Sequence, residues 1–263
     1  QAKSDLLTQT QGEERIYRDL ITQSKREQLG LIAEINALSE NLAFVDRKIK
    51  QEGDNFNPDN YKKLITPNIR AIYDFETNGD YANDEILNWP VKPSRGISAY
   101  FHDPSYYATF GIQHNAIDIP IAQGSAIRAP ANGVVYKVHD NNDASYSYLI
   151  LAHKNGILTV FGHVSSILVK ERDVVLAGEV VALSGGTPGT KGAGWLTTGA
   201  HLHFEIMKNS KHIDPLLILP LDQLSEEYIP SYLKDLVKDE KEKENTNQDS
   251  KPSKKVDLAE DPV

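Results

Sequence analysis

The sequence predicts a mainly β fold: an antiparallel β-sheet or sandwich domain preceded by an α-helical coiled-coil segment. Residues 1–52 contain no proline and carry apolar side chains at alternating spacings of four and three, which is a helical period. From Trp89 to about Pro220 the chain instead has short runs rich in valine and isoleucine, separated by turns. No helix longer than a turn or two is predicted there, and Asn155-Gly156 between two apolar runs predicts a tight antiparallel hairpin.

Residues 1–52 are predicted to form a coiled-coil helix. From Leu31 to Ile49 every position of the heptad seam is apolar, whereas Ser24 and Gln28 upstream are polar and weaken the packing. An isolated helix would leave this stripe in water, so we expect a coiled-coil partner, either a second copy or an envelope or membrane complex. The alternative is an ordinary amphipathic helix that lies on the globular domain. The seam comprises Tyr17, Ile21, Ser24, Gln28, Leu31, Ile35, Leu38, Leu42, Val45 and Ile49.

Two further segments flank the β-rich domain predicted over residues 89–220. Residues 53–88 are predicted to be a linker with a short helix near 60–74, because glycine, asparagine and proline in QEGDNFNPDN interrupt the first helix. One hypothesis gives this linker a regulatory role, in which it lies across the groove of the domain. Residues 221–263 are predicted to form a short helix and then a charged, disordered tail, since the tail has almost no apolar side chains to bury.

The composition restricts the classes of function and the kinds of site. The 263 residues carry a formal net charge of −9 at pH 7, so no nucleic-acid partner is predicted. The chain has no cysteine, so a metal would be held by histidine, aspartate or glutamate. No apolar run approaches the roughly 18–20 residues of a transmembrane segment. The only methionine is Met207, so we expect a processed chain whose export signal was removed and an extracytoplasmic location in the periplasm or cell wall.

The segment GAHLHFEI, residues 199–206, predicts a strand with two different faces. Successive side chains of a strand point to opposite sides, so its leucine, phenylalanine and isoleucine are expected to face a core. His201, His203 and Glu205 then share the other face. Two neighbouring imidazoles on one face could supply a metal ligand and a proton carrier.

Two other motifs complete a candidate metal site. GIQHNAIDIP holds His114 and Asp118 four residues apart, and in TVFGHV His163 is predicted to share a strand face with Phe161. One carboxylate with two or three imidazoles is a usual ligand set for zinc. Each motif alone is a weak signal, because a lone histidine on a strand is more often a satisfied or solvated side chain. That structural class is expected to include His139, His153 and His212.

The order of these motifs resembles that of the lysostaphin-type (LytM-like) zinc endopeptidases, which cut peptide cross-links in bacterial cell walls. The resemblance runs from about Pro90 to Pro215 and includes the framework segments GSAIRAPANGVV and GILTVFGHVSSILVKERDVVLAGEVVALSGGT. It implies a Zn²⁺ ion held by His114, Asp118 and His203.

The same resemblance implies two catalytic histidines that do not bind the metal. These are His163 and His201, and we expect His201 to be the general base. The chain departs from the family pattern at Ala116, where glycine is frequent, and at Phe161, where tyrosine is frequent. The phenylalanine removes a phenol that could position a group near the metal. Its glycine-rich loop before the last motif is also longer, and Trp195 in that loop is either an exposed substrate contact or packs back on the domain.

Three classes of function are weighed against each other. The predicted function is a zinc metallo-endopeptidase that cleaves peptide cross-links of peptidoglycan during cell-wall remodelling or division. The alternative is a non-enzymatic LytM-like regulator that activates another cell-wall hydrolase. A carbohydrate-binding β module with chance histidines is disfavoured, because chance would not place the motifs in this order.

Overall fold

The computed structural model forms two compact units, residues 1–224 and 225–263. Residues 235–263, which include the predicted disordered tail, lie outside the described residues. The structure describes residues 2–78, 87–195, 197–208 and 211–234, with side chains from residue 9 onward.

A long helix and a short helix precede the β domain. Helix α1 spans Ala2–Glu52 and ends where Gly53 adopts a positive φ of 53°, a conformation that glycine tolerates best. Short 3-10 turns at Gly53–Asn55 and Pro58–Tyr61 lead to helix α2, Pro67–Asn78. This helix begins later than the sequence indicated, because the first turn of a helix accepts a proline that has no N–H to donate.

The β domain contains two antiparallel sheets and one further helix, α3, Pro104–Phe110. The larger sheet has the order β1-β9-β5-β4-β3-β7, with β10 also paired to β9, and the smaller has the order β2-β8-β6. The predicted antiparallel β fold with a preceding helix is therefore confirmed. The strands are β1 Ile117–Pro120, β2 Ala126–Arg128, β3 Gly133–His139, β4 Tyr148–Ala152, β5 Ile157–Gly162, β6 Val164–Ile167, β7 Val174–Val175, β8 Val180–Ser184, β9 His201–Lys208 and β10 Lys211–Ile213.

The connection between β4 and β5 is a tight hairpin. Asn155 and Gly156 both have positive φ, 62° and 67°, within a 3-10 turn at Lys154–Gly156. Asparagine and glycine are the residues that adopt this conformation most readily, so the turn and its sequence agree.

Helices α1 and α2 cover one face of the larger sheet. The core on this face joins apolar residues of both helices to Val160 of β5 and Met207 of β9. Burial of several large apolar side chains, each worth roughly 1.5–3 kcal/mol, holds α1 on the domain. The helix residues of this core are Leu31, Ile35, Leu38, Val45, Ile69, Ile72 and Phe75.

This packing corrects the expectation of a missing partner helix for the apolar part of the seam. Leu31, Ile35, Leu38 and Val45 are seam positions, and all four are buried inside the chain's own core. The alternative interpretation, an amphipathic helix lying on the globular domain, describes this part of α1. The heptad spacing could not distinguish the two, because both bury one stripe of a helix.

Polar contacts fix the helices in register on the sheet. Glu34 of α1 accepts a hydrogen bond from the Tyr148 hydroxyl at 2.7 Å and pairs with Lys137 at 3.2 Å. The Asn68 side chain of α2 donates to the Tyr136 carbonyl at 2.8 Å. These contacts connect α1 and α2 to β3 and to the start of β4.

The end of the β domain is tied to its beginning. The Trp89 indole N–H donates to the Pro220 carbonyl at 2.8 Å. In the segment after Pro220, for which a short helix is predicted, 3-10 turns form at Leu221–Gln223 and, in the second unit, at Glu226–Tyr228, and residues 231–234 are α-helical. Of the helices in the described part of the chain, none combines the length and apolarity needed to cross a membrane.

The burial of α1 leads to a stability prediction. Replacing Ile35, which is fully buried, with alanine leaves a cavity between α1 and the sheet and should lower the free energy of unfolding by about 2–5 kcal/mol. Leu29→Ala is the matched control, because Leu29 lies on the same helix and is 65% exposed, so its loss should be within about 0.5 kcal/mol. Urea unfolding followed by circular dichroism measures both. Equal midpoints for the two variants would contradict the packing of α1 on the sheet.

Candidate metal centre and active site

The candidate site lies where β1 and β9 pair. In this antiparallel register Asp118 is directly opposite His203, and Pro120 is opposite His201. Directly opposed residues of paired strands project to the same side of a sheet, so the Asp118 and His203 side chains meet without any loop rearrangement. On the other side of β9, Gly162 of β5 is opposite His203.

Three donor atoms converge at this point. His203 Nδ1 lies 2.9 Å from Asp118 Oδ1, and His114 Nε2 lies 3.1 Å from the same oxygen and 3.3 Å from His203 Nδ1. His114 Nδ1 donates to the Tyr100 carbonyl at 2.8 Å, because a carbonyl can only accept, so Nε2 is the nitrogen that would bind a metal in place of its contact with Asp118. The three residues could together hold a metal ion.

The donor set fits zinc. Two imidazole nitrogens and one carboxylate oxygen are the ligands of many catalytic zinc sites, which leave the fourth position for water. All three residues are buried, so an ion there would be shielded from bulk solvent on the protein side. Burial alone would raise the pKa of Asp118, but the charges of His114 and His201 and hydrogen bonds from His114 and His203 hold it well below its usual range. The carboxylate is therefore ionised and ready to bind a cation.

A second carboxylate supports the other side of His203. Glu205 Oε1 lies 3.4 Å from His203 Nε2, and Glu205 Oε2 lies 2.7 Å from His212 Nε2. Burial would lower the pKa of His203, but hydrogen bonds to Asp118 and Glu205 outweigh it and raise the value to about 10. The same two carboxylates would stabilise a cation bound at Nδ1. A carboxylate on the far nitrogen of a metal-binding histidine orients the ring, which is a role that the sequence analysis did not assign to Glu205 or His212.

His163 and His201 lie beside this centre. Their ring centroids are 4.5 Å apart, and His201 Nε2 is 3.7 Å from Asp118 Oδ2. His163 Nδ1 contacts the Ala193 carbonyl at 2.6 Å, and His201 Nδ1 contacts the Gly199 carbonyl at 2.8 Å. Because a carbonyl can only accept, each ring carries its proton on Nδ1 when neutral and presents Nε2 as a proton acceptor.

A local backbone turn directs His163 into the site. Strand β5 ends at Gly162, and His163 adopts a positive φ of 55°, which is uncommon outside glycine. Burial, together with the neighbouring His201 and His203, holds the pKa of His163 well below its usual range, so its ring is neutral. All five residues that the sequence pointed to, His114, Asp118, His163, His201 and His203, are thus brought together.

Phe161 does not share a face with His163. It is directly opposite Phe204 of β9, with ring centroids 5.4 Å apart, and both rings are fully buried. The turn at His163 is the physical reason, because it breaks the alternation on which the sequence argument relied. The concern that phenylalanine at 161 removes a phenol near the metal therefore does not apply, and a different tyrosine is close. Tyr146 packs against His163, with ring centroids 5.0 Å apart.

Aromatic side chains that the sequence analysis did not select complete the site. Tyr106 of α3 stacks on the His114 ring, with centroids 4.4 Å apart. Burial, with a smaller effect from the charge of Asp118, raises the pKa of Tyr106 to about 12, so the phenol keeps its proton. A Cβ at Gly162 would clash with the Tyr146 hydroxyl, so this glycine is needed for Tyr146 to approach. The spacing of a strand carries no signal for these contacts, which come from separate segments.

Helix α1 lies along the cleft next to the metal ligands. A cavity of 380 Å³ is lined by Lys25, Gln28 and Ile32 of α1 together with His203 and Glu205. Among the residues described between 53 and 88, none lines this cavity, whereas residues of α1 do. Burial of seam residues on the sheet is what brings α1 there.

Trp195 contacts α1 from the opposite wall of the cleft. Its indole N–H donates to the Glu27 carboxylate at 3.1 Å, and its side of the cleft also includes Gly194 and His163. The residue is 37% exposed, so it neither packs fully into the domain nor stands free in solvent. In this structure Trp195 therefore contacts α1 through its indole N–H.

Comparison with known proteins places this site in a family. Residues 112–215 match the family described as Peptidase family M23. The chain is 28% identical over 145 residues to the peptidoglycan DD-endopeptidase ShyA of Vibrio cholerae, covering 54% of this chain and 32% of ShyA. It is 32% identical over 115 residues to the murein hydrolase activator NlpD of Escherichia coli, covering 43% of this chain and 28% of NlpD.

Among solved structures, LytU has 34% sequence identity, covering 49% of this chain and 86% of LytU, with a TM-score of 0.38. The chain spans about a third of the length of the curated relatives it matches. The family match contains each of the residues gathered at the metal centre, from His114 to His203. The chain therefore belongs to peptidase family M23.

Proposed function

We propose that this chain is a zinc-dependent endopeptidase that cleaves peptide cross-links of bacterial peptidoglycan outside the cytoplasm. The observation that supports this most is the convergence of His114, Asp118 and His203 beside two histidines with free Nε2 atoms. The V. cholerae relative is named a peptidoglycan DD-endopeptidase, which supports the same class of substrate here. Which cross-link is cut is a question for digestion of defined wall fragments.

In this proposal three residues hold zinc and two move protons. His114 Nε2, Asp118 Oδ1 and His203 Nδ1 are the ligand atoms, and Glu205 orients His203 through its other nitrogen. A zinc ion bound there would lower the pKa of a water molecule and polarise the scissile carbonyl.

The two remaining histidines are assigned different tasks. His201 is the general base, since the Asp118 carboxylate, 3.7 Å from its Nε2, stabilises the imidazolium that forms when the ring takes a proton. The same ring then delivers that proton to the leaving amine. His163 is held neutral by burial and orients the attacking water by accepting its hydrogen bond at Nε2. Neither ring donates to an oxyanion while neutral, because each N–H is already donated to a backbone carbonyl.

The position of α1 supports a regulated enzyme. Its residues line the same cavity as His203, so a peptide substrate and this part of the helix compete for one volume. We therefore assign the autoinhibitory role to α1 in place of residues 53–88. A coiled-coil partner, self or envelope, would act upstream of the buried seam, where Tyr17 is 47% exposed.

The alternative function is a non-enzymatic activator of another cell-wall hydrolase. The E. coli relative NlpD is named a murein hydrolase activator, and it matches over 43% of this chain. The complete set of converging ligands favours the enzyme, because an activator that works by contact needs no metal centre. Digestion of purified cell walls by the purified, zinc-loaded chain separates the two: soluble cross-link fragments support the enzyme, and their absence supports the activator.

The ligand assignment predicts the metal content of the protein. The purified chain should contain one zinc per molecule, and His114→Ala, Asp118→Ala or His203→Ala should each reduce it to a small fraction, since three ligands are the minimum for such a site. Mass spectrometry of the metal, after dialysis against a weak chelator, measures the content. His139→Ala is the matched control, because His139 stacks on Tyr148 away from the centre and its loss should leave zinc unchanged. Stoichiometric zinc in a triple Ala variant would refute the assignment.

The proton-transfer assignment predicts a separation of binding from turnover. His201→Ala should keep its zinc and lose about 10²–10⁴-fold in the rate of wall cleavage, which is the usual contribution of a general base. For His163 the informative variant is His163→Asn, because asparagine tolerates the positive φ at this position. The His163→Asn variant should also keep its zinc and cleave walls more slowly than the parent protein. Near-normal turnover by His201→Ala would remove it from the role of base.

A further inference from the structure

The cleft contains a pair of hydrogen-bond donors beside the metal ligands. The Trp195 indole N–H donates to the carboxylate of Glu27 on α1 at 3.1 Å, and the Tyr146 backbone N–H lies near the same carboxylate and helps to lower its pKa. Trp195, Tyr146 and Glu27 line one cavity with His163 and His203. The two N–H groups therefore lie in the cavity in which a bound peptide would contact His163 and the metal centre.

The two donors are held in place by the fold of the loop that carries them. Gly192 N donates to the Asp143 carbonyl at 2.8 Å, and Gly194 N donates to the Ala144 carbonyl at 3.0 Å. These bonds align residues 192–194 with residues 143–147, so Trp195 and Tyr146 lie side by side. The carbonyl between the two glycines, at Ala193, binds His163, so the same loop positions the donor pair and a catalytic histidine.

The charges around the pair suit a neutral acceptor better than an anion. Both donors are uncharged, and within the described part of the chain no lysine or arginine forms an ion pair with Glu27. Burial, with a smaller effect from the Asp143 carboxylate, raises the pKa of Glu27 despite the hydrogen bonds from Trp195, Tyr146 and Gln23. A half-buried carboxylate without a cation is less stable than one in water, whereas a peptide carbonyl would accept hydrogen bonds from the same two N–H groups without a charge.

We propose that the Trp195 indole N–H and the Tyr146 backbone N–H form a subsite for a neutral carbonyl oxygen of the peptide substrate, which Glu27 of α1 fills in the resting protein. This inference rests on the proposed peptidase function, since it assigns part of the substrate contact. Glu27 is an imperfect occupant because it carries a charge, and a peptide carbonyl displaces it.

The helix has a weak point at which displacement could occur. Gly30 lies between the cleft residue Glu27 and the first core residue, Leu31. A Cβ at Gly30 would meet no atom within 4 Å, so packing does not require glycine there. Glycine inside a helix costs about 1 kcal/mol relative to alanine. The part of α1 upstream of Gly30 can therefore move away while the Leu31–Val45 stretch stays packed on the sheet.

Nuclear magnetic resonance of the two indole N–H groups tests the subsite in the full chain. Trp89 donates to the Pro220 carbonyl and serves as an internal control, so only the Trp195 resonance should respond. In Glu27→Ala that resonance should move upfield, because the hydrogen bond is lost. Adding the neutral probe N-acetyl-triglycine-N-methylamide should return it downfield with saturation, whereas sodium acetate should not. Glu40→Ala, an exposed change on the same helix, should behave as the parent protein.

Substitution by glutamine separates charge from shape. Glu27→Gln keeps a hydrogen-bond acceptor of the same size without the charge. Its side-chain oxygen should therefore bind the Trp195 and Tyr146 N–H groups more tightly than the native carboxylate does. In Glu27→Gln the peptide concentration that half-saturates the shift of the Trp195 resonance should be at least about tenfold higher than in Glu27→Ala. A tenfold change is that expected for one hydrogen bond. The proposal would be overturned if the Trp195 resonance of Glu27→Ala did not shift when the peptide is added, or if acetate shifted it equally.

Wall cleavage by the same zinc-loaded variants separates this inference from the proposed function. With a functional subsite, Glu27→Ala should cut walls about tenfold faster than the parent, and Glu27→Gln should cut more slowly. If all variants cleave walls at the same rate and the Trp195 resonance does not respond to the peptide, the subsite is rejected and the proposed peptidase function stands. A saturable peptide response with no cleavage by any variant rejects the peptidase and retains a carbonyl-binding site.

Discussion

The antiparallel register of β1 on β9 is the constraint on which the site depends. It sets Asp118 opposite His203 and brings the loop that carries His114 to the same end of the sheet. A shift by one residue would turn every side chain of one strand to the other face and separate the ligands. The register is secured by burial on both sides of β9, because Phe204 lies in one core and Met207 in the other.

The same two-sided burial explains why α1 is part of the domain. The sheet face that carries His203 and Glu205 continues into an apolar surface at Val160 and Met207, which α1 and α2 cover. A helix that covers this surface extends along the cleft at its upstream end, so stability and access to the site are coupled. The polar seam positions Ser24 and Gln28, which weaken a coiled coil, are the ones that face the cleft. Polar side chains at these two positions bury little apolar surface, so this part of α1 can leave the cleft at a lower cost in free energy than the apolar part of the seam.

Much of the site was predictable because its residues lie in motifs with short spacing. The alternation in HLHFEI assigned His201 and His203 to one face, and the resemblance to a peptidase family assigned His114 and Asp118 to the metal together with His203. Residues without such a signal were missed. Tyr106, Tyr146 and Glu27 reach the centre from three separate segments, and no local period relates them. Phe161 was assigned to the wrong face because a single residue with positive φ, His163, ended the alternation.

The sequence by itself determined the β-rich domain, the preceding helix and the set of metal-binding residue types, because each follows from a local period or motif. It could not determine what covers the apolar seam of that helix. A stripe of leucine and isoleucine is equally suited to another helix or to a sheet, since burial of apolar area has no direction. Only the tertiary structure decided that Leu31, Ile35 and Leu38 pack on the chain's own sheet, and that Glu27 consequently meets Trp195 in the cleft.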